Sequence, residues 1–181
     1  LTGRNDWASQ LAGPNSKQSS FFYPSVGTSI LLSEIFNLPE SISYLKLRAS
    51  WASVGLPFGR FLANPTFEWD FSTGAYKSQA AYPLYELKPE RTESWEVGLT
   101  ARFLKYFNFD VSFYNTKTYN QTVDAQLSPT GGYNKFYAQT GEVRNRGVEL
   151  SLEFKNTWNK FTWNSNYTFS ANKNKILSLI D

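Results

Sequence analysis

Residues 95–119 read WEVGLTARFLKYFNFDVSFYNTKTY, and this stretch decides the fold of the chain. Apolar side chains occupy every second position from 95 to 103 and again from 107 to 113, with polar residues or glycine between them. Because successive side chains of a strand point to opposite sides, this alternation predicts two strands that each have one apolar and one polar face. The break at 104–106 is short, so the two strands are predicted to form an antiparallel hairpin.

The spacing also constrains the turn of this hairpin. The apolar residues are odd-numbered on both strands, so opposed residues sum to an even number. The loop must then hold an odd number of residues, about three, as in a turn followed by a bulge. In that register Arg102 lies close to Asp110 on the polar face, which predicts a cross-strand ion pair between them.

Composition narrows the class of protein. The chain has 181 residues, and its 18 Lys and Arg against 15 Asp and Glu give a charge of +3, too small to indicate a nucleic-acid-binding protein. It contains no His and no Cys, so the usual general base, thiol nucleophile and zinc ligands are absent, and no cofactor or metal is predicted. The absence of Met indicates a processed chain or a piece of a longer one.

Similar alternation recurs along the rest of the chain. Further strands are predicted at 1–7, 21–35, 42–54, 143–154 and 161–169, with residues 173–181 leaving the last of them. Short turns are predicted near 37–41, 104–106 and 156–159, and long loops near 8–20, 55–91 and 124–142, where 55–91 has room for a short hairpin. Since the turns fall at one end of the strands and the loops at the other, the chain is predicted to form an all-β, antiparallel up-and-down sheet.

The distribution of aromatic residues favours a membrane setting for this sheet. Aromatic residues make up 18% of the chain. Outer-membrane barrels combine short periplasmic turns and long extracellular loops with aromatic girdles at both interfaces. Five aromatic residues near predicted strand ends suit such girdles: Trp51, Trp95, Tyr119, Trp158 and Trp163.

Three motifs identify a family resemblance. They are YLKLRASWA at 44–52, LKPERTESWEVGL at 87–99 and GEVRNRGVELSL at 141–152. Together they resemble the C-terminal barrel half of TonB-dependent outer-membrane receptors of the SusC/RagA type from Bacteroidota. The resemblance implies a transmembrane barrel of about 22 strands with a plug, capped by a SusD-like surface lipoprotein lid and powered through the TonB complex. It also implies import of oligosaccharides or peptides.

The chain is too short to form that barrel alone. About seven strands cannot close it, and open sheet edges are not viable in lipid. Residues 1–181 are therefore expected to be a partial receptor β-barrel domain without the plug. The TonB complex would act through segments outside this chain, and the apolar stripes would contact outer-membrane lipid.

Two sets of residues are candidates for function. The first set consists of polar residues expected to face the lumen: Lys46, Arg48, Glu96, Arg102, Asp110, Glu149 and Glu153. The second set consists of aromatic residues on the long loops: Trp69, Tyr76, Tyr82, Tyr85, Tyr133, Phe136 and Tyr137. Flat rings with polar tips suit sugar faces and protein interfaces alike. The loop aromatics are expected to contact substrate, contact the lid, or pack the loops on themselves.

Other classes of function fit the sequence less well. Glu149 and Glu153 could form a glycosidase pair, but four residues of strand separate them by roughly 13 Å, beyond the about 5–9.5 Å of such pairs. Asp110, Asp124 and Glu142 lack the spacing of a calcium loop. The chain is therefore not predicted to be an enzyme. The remaining alternative is a soluble, secreted β-sandwich that binds carbohydrate, which would bury the apolar stripes in a core.

Overall fold

The computed structural model describes residues 1–13, 15–16, 18–62, 67–77, 81–82, 86–128, 130 and 133–178, without the side chain of residue 140. The strands are β1 (Thr2–Trp7), β2 (Ser20–Leu31), β3 (Ile42–Leu56), β4 (Trp69–Asp70), β5 (Ala75–Tyr76), β6 (Glu90–Phe103), β7 (Phe107–Gln126), β8 (Lys135–Trp158) and β9 (Phe161–Ser178). A 3-10 turn at Ser9–Leu11 and a four-residue helix α1 at Leu32–Ile35 complete the described elements.

Seven strands form one antiparallel sheet in the order β1-β2-β3-β6-β7-β8-β9. Strands that follow one another along the chain are therefore neighbours in space, apart from β4 and β5, which pair as a separate hairpin in the longest connection. This arrangement confirms the predicted all-β, up-and-down topology. The β4–β5 hairpin lies within residues 55–91, where the sequence left room for one.

The register places the alternating residues on two distinct faces. One row across six strands is entirely apolar and consists of Ile30, Leu47, Leu99, Val111, Leu150 and Phe169. The adjacent row on the other face consists of Ser29, Arg48, Gly98, Ser112, Glu149 and Ser170. Because a slip of one residue on any strand would exchange these faces, the hydrophobic pattern specifies the register.

The apolar face of the sheet is exposed. Phe113 keeps 53% of its surface accessible and Phe169 keeps 59%. Among the described residues, the buried apolar side chains are Leu11, Phe58, Leu87 and Ala138, and the first three form a small cluster beneath the long loops. An exposed apolar face is what lipid contact requires, whereas a β-sandwich would bury it against a second sheet.

No helix among the described residues has the length and apolar character needed to cross a membrane.

Two aromatic rows bound the apolar face. At the turn end, ring centroids 5.0–6.3 Å apart link six residues in a chain: Phe103, Phe107, Phe154, Trp158, Phe161 and Trp163. At the loop end, Trp51 lies opposite Trp95. On β8 the outward stripe from Val148 to Trp158 measures roughly 34 Å along the strand, or about 26 Å at a tilt of ~40°, close to the ~25 Å apolar band of an outer-membrane barrel.

The turn between β6 and β7 is the predicted three-residue connection, residues 104–106. Leu104 and Lys105 both adopt positive φ angles, 51° and 61°. Arg102 lies opposite Asn108 and donates from Nε to its Oδ1 at 2.8 Å. The predicted Arg102–Asp110 ion pair is therefore wrong, because a more distant strand supplies the partner of Asp110.

Several predicted boundaries are corrected by the register. β7 and β8 pair as far as Gln126 and Lys135, so their connection is 127–134 instead of 124–142. β9 continues to Ser178 opposite Glu142 instead of ending near 173. Irregularities between Thr118 and Gln121, and between Glu142 and Val143, interrupt the alternation while the backbone ladder continues.

The other two turns differ in detail from their predicted limits. β2 ends at Leu31, and α1 takes the place of the last four residues of the strand predicted at 21–35. The turn between β8 and β9 consists of residues 159–160. These differences do not move any strand to another place in the sheet.

Candidate functional site

The polar face of the sheet carries all seven residues of the first candidate set. Lys46 lies opposite Thr100, which in turn lies opposite Asp110. The neighbouring rows of the same face hold Arg48, Glu96, Arg102, Glu149 and Glu153. These side chains share one surface because the strands alternate in register across the sheet.

Arg48 and Asp110 form a doubly hydrogen-bonded ion pair on this face. Arg48 donates from Nη1 to Oδ2 and from Nη2 to Oδ1 of Asp110, both at 2.8 Å, which is the two-pronged geometry of a guanidinium on a carboxylate. Thr100 lies between them: it accepts from Arg48 Nη1 at 3.0 Å and donates to Asp110 Oδ2 at 2.6 Å. Glu96 Oε1 lies 3.6 Å from Arg48 Nε. The group therefore connects β3, β6 and β7.

Gly98 explains how Arg48 reaches across a strand. It lies on β6 directly opposite Arg48, and a Cβ at this position would come 2.5 Å from Arg48 Cζ. The missing side chain lets the guanidinium lie over β6 and contact Asp110 on β7. Glycine inside a strand pattern often marks such a close approach, and this was the available sequence signal for the contact.

Gly147 has the same role on the next pair of strands. A Cβ there would come 2.5 Å from Tyr114 Oη, so the phenol of β7 lies over β8. Asn172 on β9 then donates from Nδ2 to Tyr114 Oη at 3.0 Å. Neither bridge is predicted from the sequence, although both glycines lie within the motifs that carry the family resemblance.

The polar face offers a shallow groove. The groove has a volume of about 380 Å³, and its lining includes Arg48, Glu96, Asp110, Ser112 and Glu149. Glu153 accepts from Asn108 Nδ2 at 3.0 Å, and Ser151 lies between it and Glu149 on the strand. Within the described ranges, no group of three His, Cys, Asp or Glu side chains could hold a metal ion. The arrangement supplies fixed donors and acceptors for polar solutes.

The aromatic candidates of the β4–β5 hairpin lie at the loop end of the sheet. Trp69 and Tyr76 pack edge to face with centroids 5.0 Å apart and remain 46% and 67% exposed. The turn between them is held by Asp70, which accepts hydrogen bonds from the hydroxyl and backbone N–H of Ser72. These bonds stabilise the carboxylate and lower the pKa of Asp70.

A second aromatic cluster connects two long loops. Tyr82 packs against Tyr133 and Phe136 with centroid distances of 5.3 and 6.1 Å. Its backbone N–H donates to the carbonyl of Lys135 at 2.8 Å. Tyr137 lies on β8 opposite Asp124. Tyr85 lies outside the described residues.

The loops are fixed to one another below these aromatic rings. Gln139 donates from Nε2 to the Lys88 carbonyl at 2.7 Å and accepts from the Lys88 N–H at 2.8 Å. Leu87 donates from its backbone to Asn15 at 2.9 Å and packs in the apolar cluster with Leu11. Sequence reasoning missed Leu11, Leu87 and Gln139, because single residues in aperiodic loops carry no pattern that identifies a partner.

Comparisons with known proteins agree with this geometry. Residues 1–179 match the family model described as TonB dependent receptor-like, beta-barrel. Two relatives are TonB-dependent receptors P26 and P39 of Formosa agariphila, 31% and 32% identical over 99% and 77% of this chain. The match covers only 19% of P26 and 14% of P39, so the chain spans about a fifth or less of those proteins.

Solved structures share the fold of the chain. The RagAB peptide importer in its closed-closed state superposes with a TM-score of 0.83 and 24% identity over 99% of this chain and 20% of its own. The structure of the RagAB peptide transporter gives a TM-score of 0.81, also at 24% identity, over 98% of this chain and 20% of its own.

Proposed function

Because this chain belongs to the TonB-dependent receptor-like β-barrel family, we propose that it forms a section of the wall and extracellular vestibule of an outer-membrane transporter that imports oligosaccharides or peptides. The observation that carries the proposal is the two-faced sheet. Its apolar face is exposed across the strands, and its opposite face holds an ordered polar network. Lipid contact on one side and a hydrated lumen on the other account for both faces.

In this proposal the polar face lines the lumen, and the mechanism is passage and gating without covalent chemistry. Arg48, Thr100 and Asp110 are held by one another, so they present a fixed pattern of charge to a passing solute. Glu149 has no ion-pair partner among the described residues and projects into the same groove. Such a surface favours hydrated polar substrates over apolar ones.

The loop rim forms the vestibule in this proposal. Trp69 and Tyr76 keep large exposed ring surfaces, which suit sugar faces or peptide side chains. Tyr82 packs against Tyr133 of the neighbouring connection and Phe136 of β8, which supports a structural role for that cluster. A SusD-like surface lipoprotein would cover this rim as a lid, and TonB would act through segments of the receptor outside this chain.

The similar proteins support a substrate class and a location for this proposal. The RagAB structures are those of a peptide importer, which supports peptides. The relatives from Formosa agariphila support a Bacteroidota-like outer membrane as the location. Oligosaccharides and peptides both fit a rim of exposed aromatic rings above a polar lumen.

The test is an uptake experiment in the producing bacterium. Deletion of the full-length gene should abolish TonB-dependent uptake of one labelled pool, oligosaccharides or peptides, and the wild-type gene should restore it. Complementation with Trp69→Ala/Tyr76→Ala should lower uptake at limiting substrate about tenfold, the effect of losing roughly 1.4 kcal/mol of contact.

Tyr167→Ala is the matched control, because Tyr167 is also an exposed aromatic residue, 65% accessible, but lies on the apolar face. It should retain wild-type uptake. Unchanged uptake of both pools in the deletion strain would refute the transport proposal.

A further inference from the structure

Four basic residues continue the apolar face beyond its loop-end edge. On β8, Val148 is followed on the same face by Arg146 and then by Arg144. On β9, Lys173 lies opposite Arg146, and Lys175 lies opposite Arg144. We call these four residues the basic band. The face that is apolar through most of the sheet therefore becomes cationic at a defined level.

The charge of the basic band is not neutralised within the described ranges of the chain. Two ion pairs lie at this end, Arg91 with Glu93 at 3.2 Å and Lys117 with Glu142 at 2.8 Å, and neither includes a residue of the band. Among the residues that the structure describes, the side chains of the four members of the band have neither an ion pair nor a hydrogen-bond partner. Arg146, Lys173 and Lys175 are exposed, and Arg144 is half-buried.

The position of the band corresponds to lipid headgroups. The outward stripe of β8 from Val148 to Trp158 matches the ~25 Å height of an outer-membrane apolar band. Arg146 is the next outward residue on the loop side, roughly 5 Å higher at a strand tilt of ~40°. Trp95, in the same row of the sheet, has the amphipathic ring typical of the interface.

An apolar groove begins at the band. Its volume is about 460 Å³, and its lining includes Trp95, Phe113, Val148, Arg146 and Lys173. Trp95 and Phe113 are 46% and 53% exposed, so the floor is open to an acyl chain. One end of the groove is therefore apolar and the other is cationic, which matches the shape and charge of an anionic lipid.

We propose that the basic band and this groove bind one anionic outer-leaflet lipid through its phosphate. The guanidinium of Arg146 offers two parallel donors to phosphate oxygens, and the ammonium of Lys173 adds a point charge. The acyl chain lies along Trp95 and Phe113. A lipid is favoured over a protein occupant because the groove is continuous with the lipid-facing stripe. The inference rests on the proposed placement of the barrel in the outer membrane.

The test measures lipid selectivity of the full-length receptor. The purified receptor in detergent is titrated with dioleoyl phosphatidic acid or dioleoyl phosphatidylcholine, and bound lipids are counted by native mass spectrometry. The wild type should prefer phosphatidic acid. Since each basic residue near a membrane surface contributes about fivefold, Arg146→Gln/Lys173→Gln should reduce this preference roughly tenfold or more.

Two controls make the outcome decisive. Lys155→Gln/Lys160→Gln removes the same charge at the turn end of β8 and should leave the preference unchanged. Inorganic phosphate at the concentration of the lipid should not displace it. Equal binding of both lipids to the wild type, an unchanged preference in the Arg146/Lys173 variant, an equal loss in the control variant, or displacement by inorganic phosphate would each overturn the proposal.

Because lipid counting does not depend on import, a failure of the lipid proposal can be distinguished from a failure of the transport proposal. A heat-modifiable band on gels establishes that each variant is folded before its lipid preference is compared with that of the wild type.

Discussion

Arg48 has the most defined environment of the charged side chains on the polar face. The observed geometry combines the two hydrogen bonds from Arg48 to Asp110 with the bridging hydroxyl of Thr100. It also depends on the space left by the missing side chain of Gly98. Arg48 and Asp110 keep 32% and 40% of their side-chain surface exposed. Water therefore screens the pair, and its contribution to stability should be near the upper end for exposed pairs, about 1 kcal/mol.

This contact predicts a coupling that a double-mutant cycle can measure. Arg48→Ala and Asp110→Ala in the full-length receptor should be non-additive by about 1 kcal/mol in the free energy of unfolding, because either change alone removes the same contact. Gly98→Ala should abolish this coupling, since the added Cβ displaces the guanidinium. Urea unfolding monitored by tryptophan fluorescence is the measurement.

Arg102→Ala serves as the comparison. Its side chain contacts Asn108, so combining it with Asp110→Ala should give costs that add to within about 0.5 kcal/mol. Coupling of Asp110 to Arg102 instead of Arg48 would contradict the observed register.

At the scale of single strands, the outward stripe is the functional feature. Leu152 lies near the middle of the β8 stripe, between Phe109 on β7 and Tyr167 on β9. Its neighbours on the same strand, Ser151 and Glu153, lie on the polar face. A one-residue shift therefore exchanges a lipid-facing position for a lumen-facing one.

A charge on the two faces should have different costs. Leu152→Arg in the full-length receptor should destabilise the barrel by roughly 2–4 kcal/mol, because the guanidinium would lie at mid-depth in hydrocarbon. The yield of heat-modifiable receptor in isolated outer membranes should fall accordingly. Ser151→Arg introduces the same side chain at the adjacent position on the polar face and should assemble normally. Normal assembly of both variants would contradict the assignment of the faces.

At the scale of the whole molecule, the sheet has two edges without partners among the described residues. These edges are β1 and β9. Unpaired edge groups are costly in lipid and promote aggregation in water, and closure removes them. The chain spans 20% of the RagAB subunit whose fold it shares, which is consistent with neighbouring strands being supplied by the rest of a barrel.

The isolated 181-residue chain should therefore not fold alone. After refolding in detergent it should migrate identically on gels whether boiled or unboiled, and it should aggregate on size exclusion. The full-length receptor prepared in the same way supplies the positive control and should shift on boiling. A monomeric, heat-modifiable species of this chain alone would show that the sheet is stable without closure.

The sequence by itself determined the architecture and the three-residue turn at 104–106. Apolar residues at every second position follow the pleat of a strand. Because the apolar residues of 95–113 are odd-numbered on both strands of the hairpin, the loop between the strands must hold an odd number of residues. The family motifs within residues 44–152 added the identity of the barrel. These features are local, so neighbouring residues on one strand or hairpin were sufficient to predict them.

Only the tertiary structure decided which groups on each face meet. Asp110 pairs with Arg48, 62 residues away, instead of Arg102, and Gln139 holds Lys88 across 51 residues. The ends of β7, β8 and β9 could also be located only from the structure, because polar residues there form a backbone ladder without an alternating pattern. The physical reason is the same in each case: these contacts depend on the alignment of separate strands. Alternation within one strand fixes which residues share a face, but not which residue of a distant strand they meet.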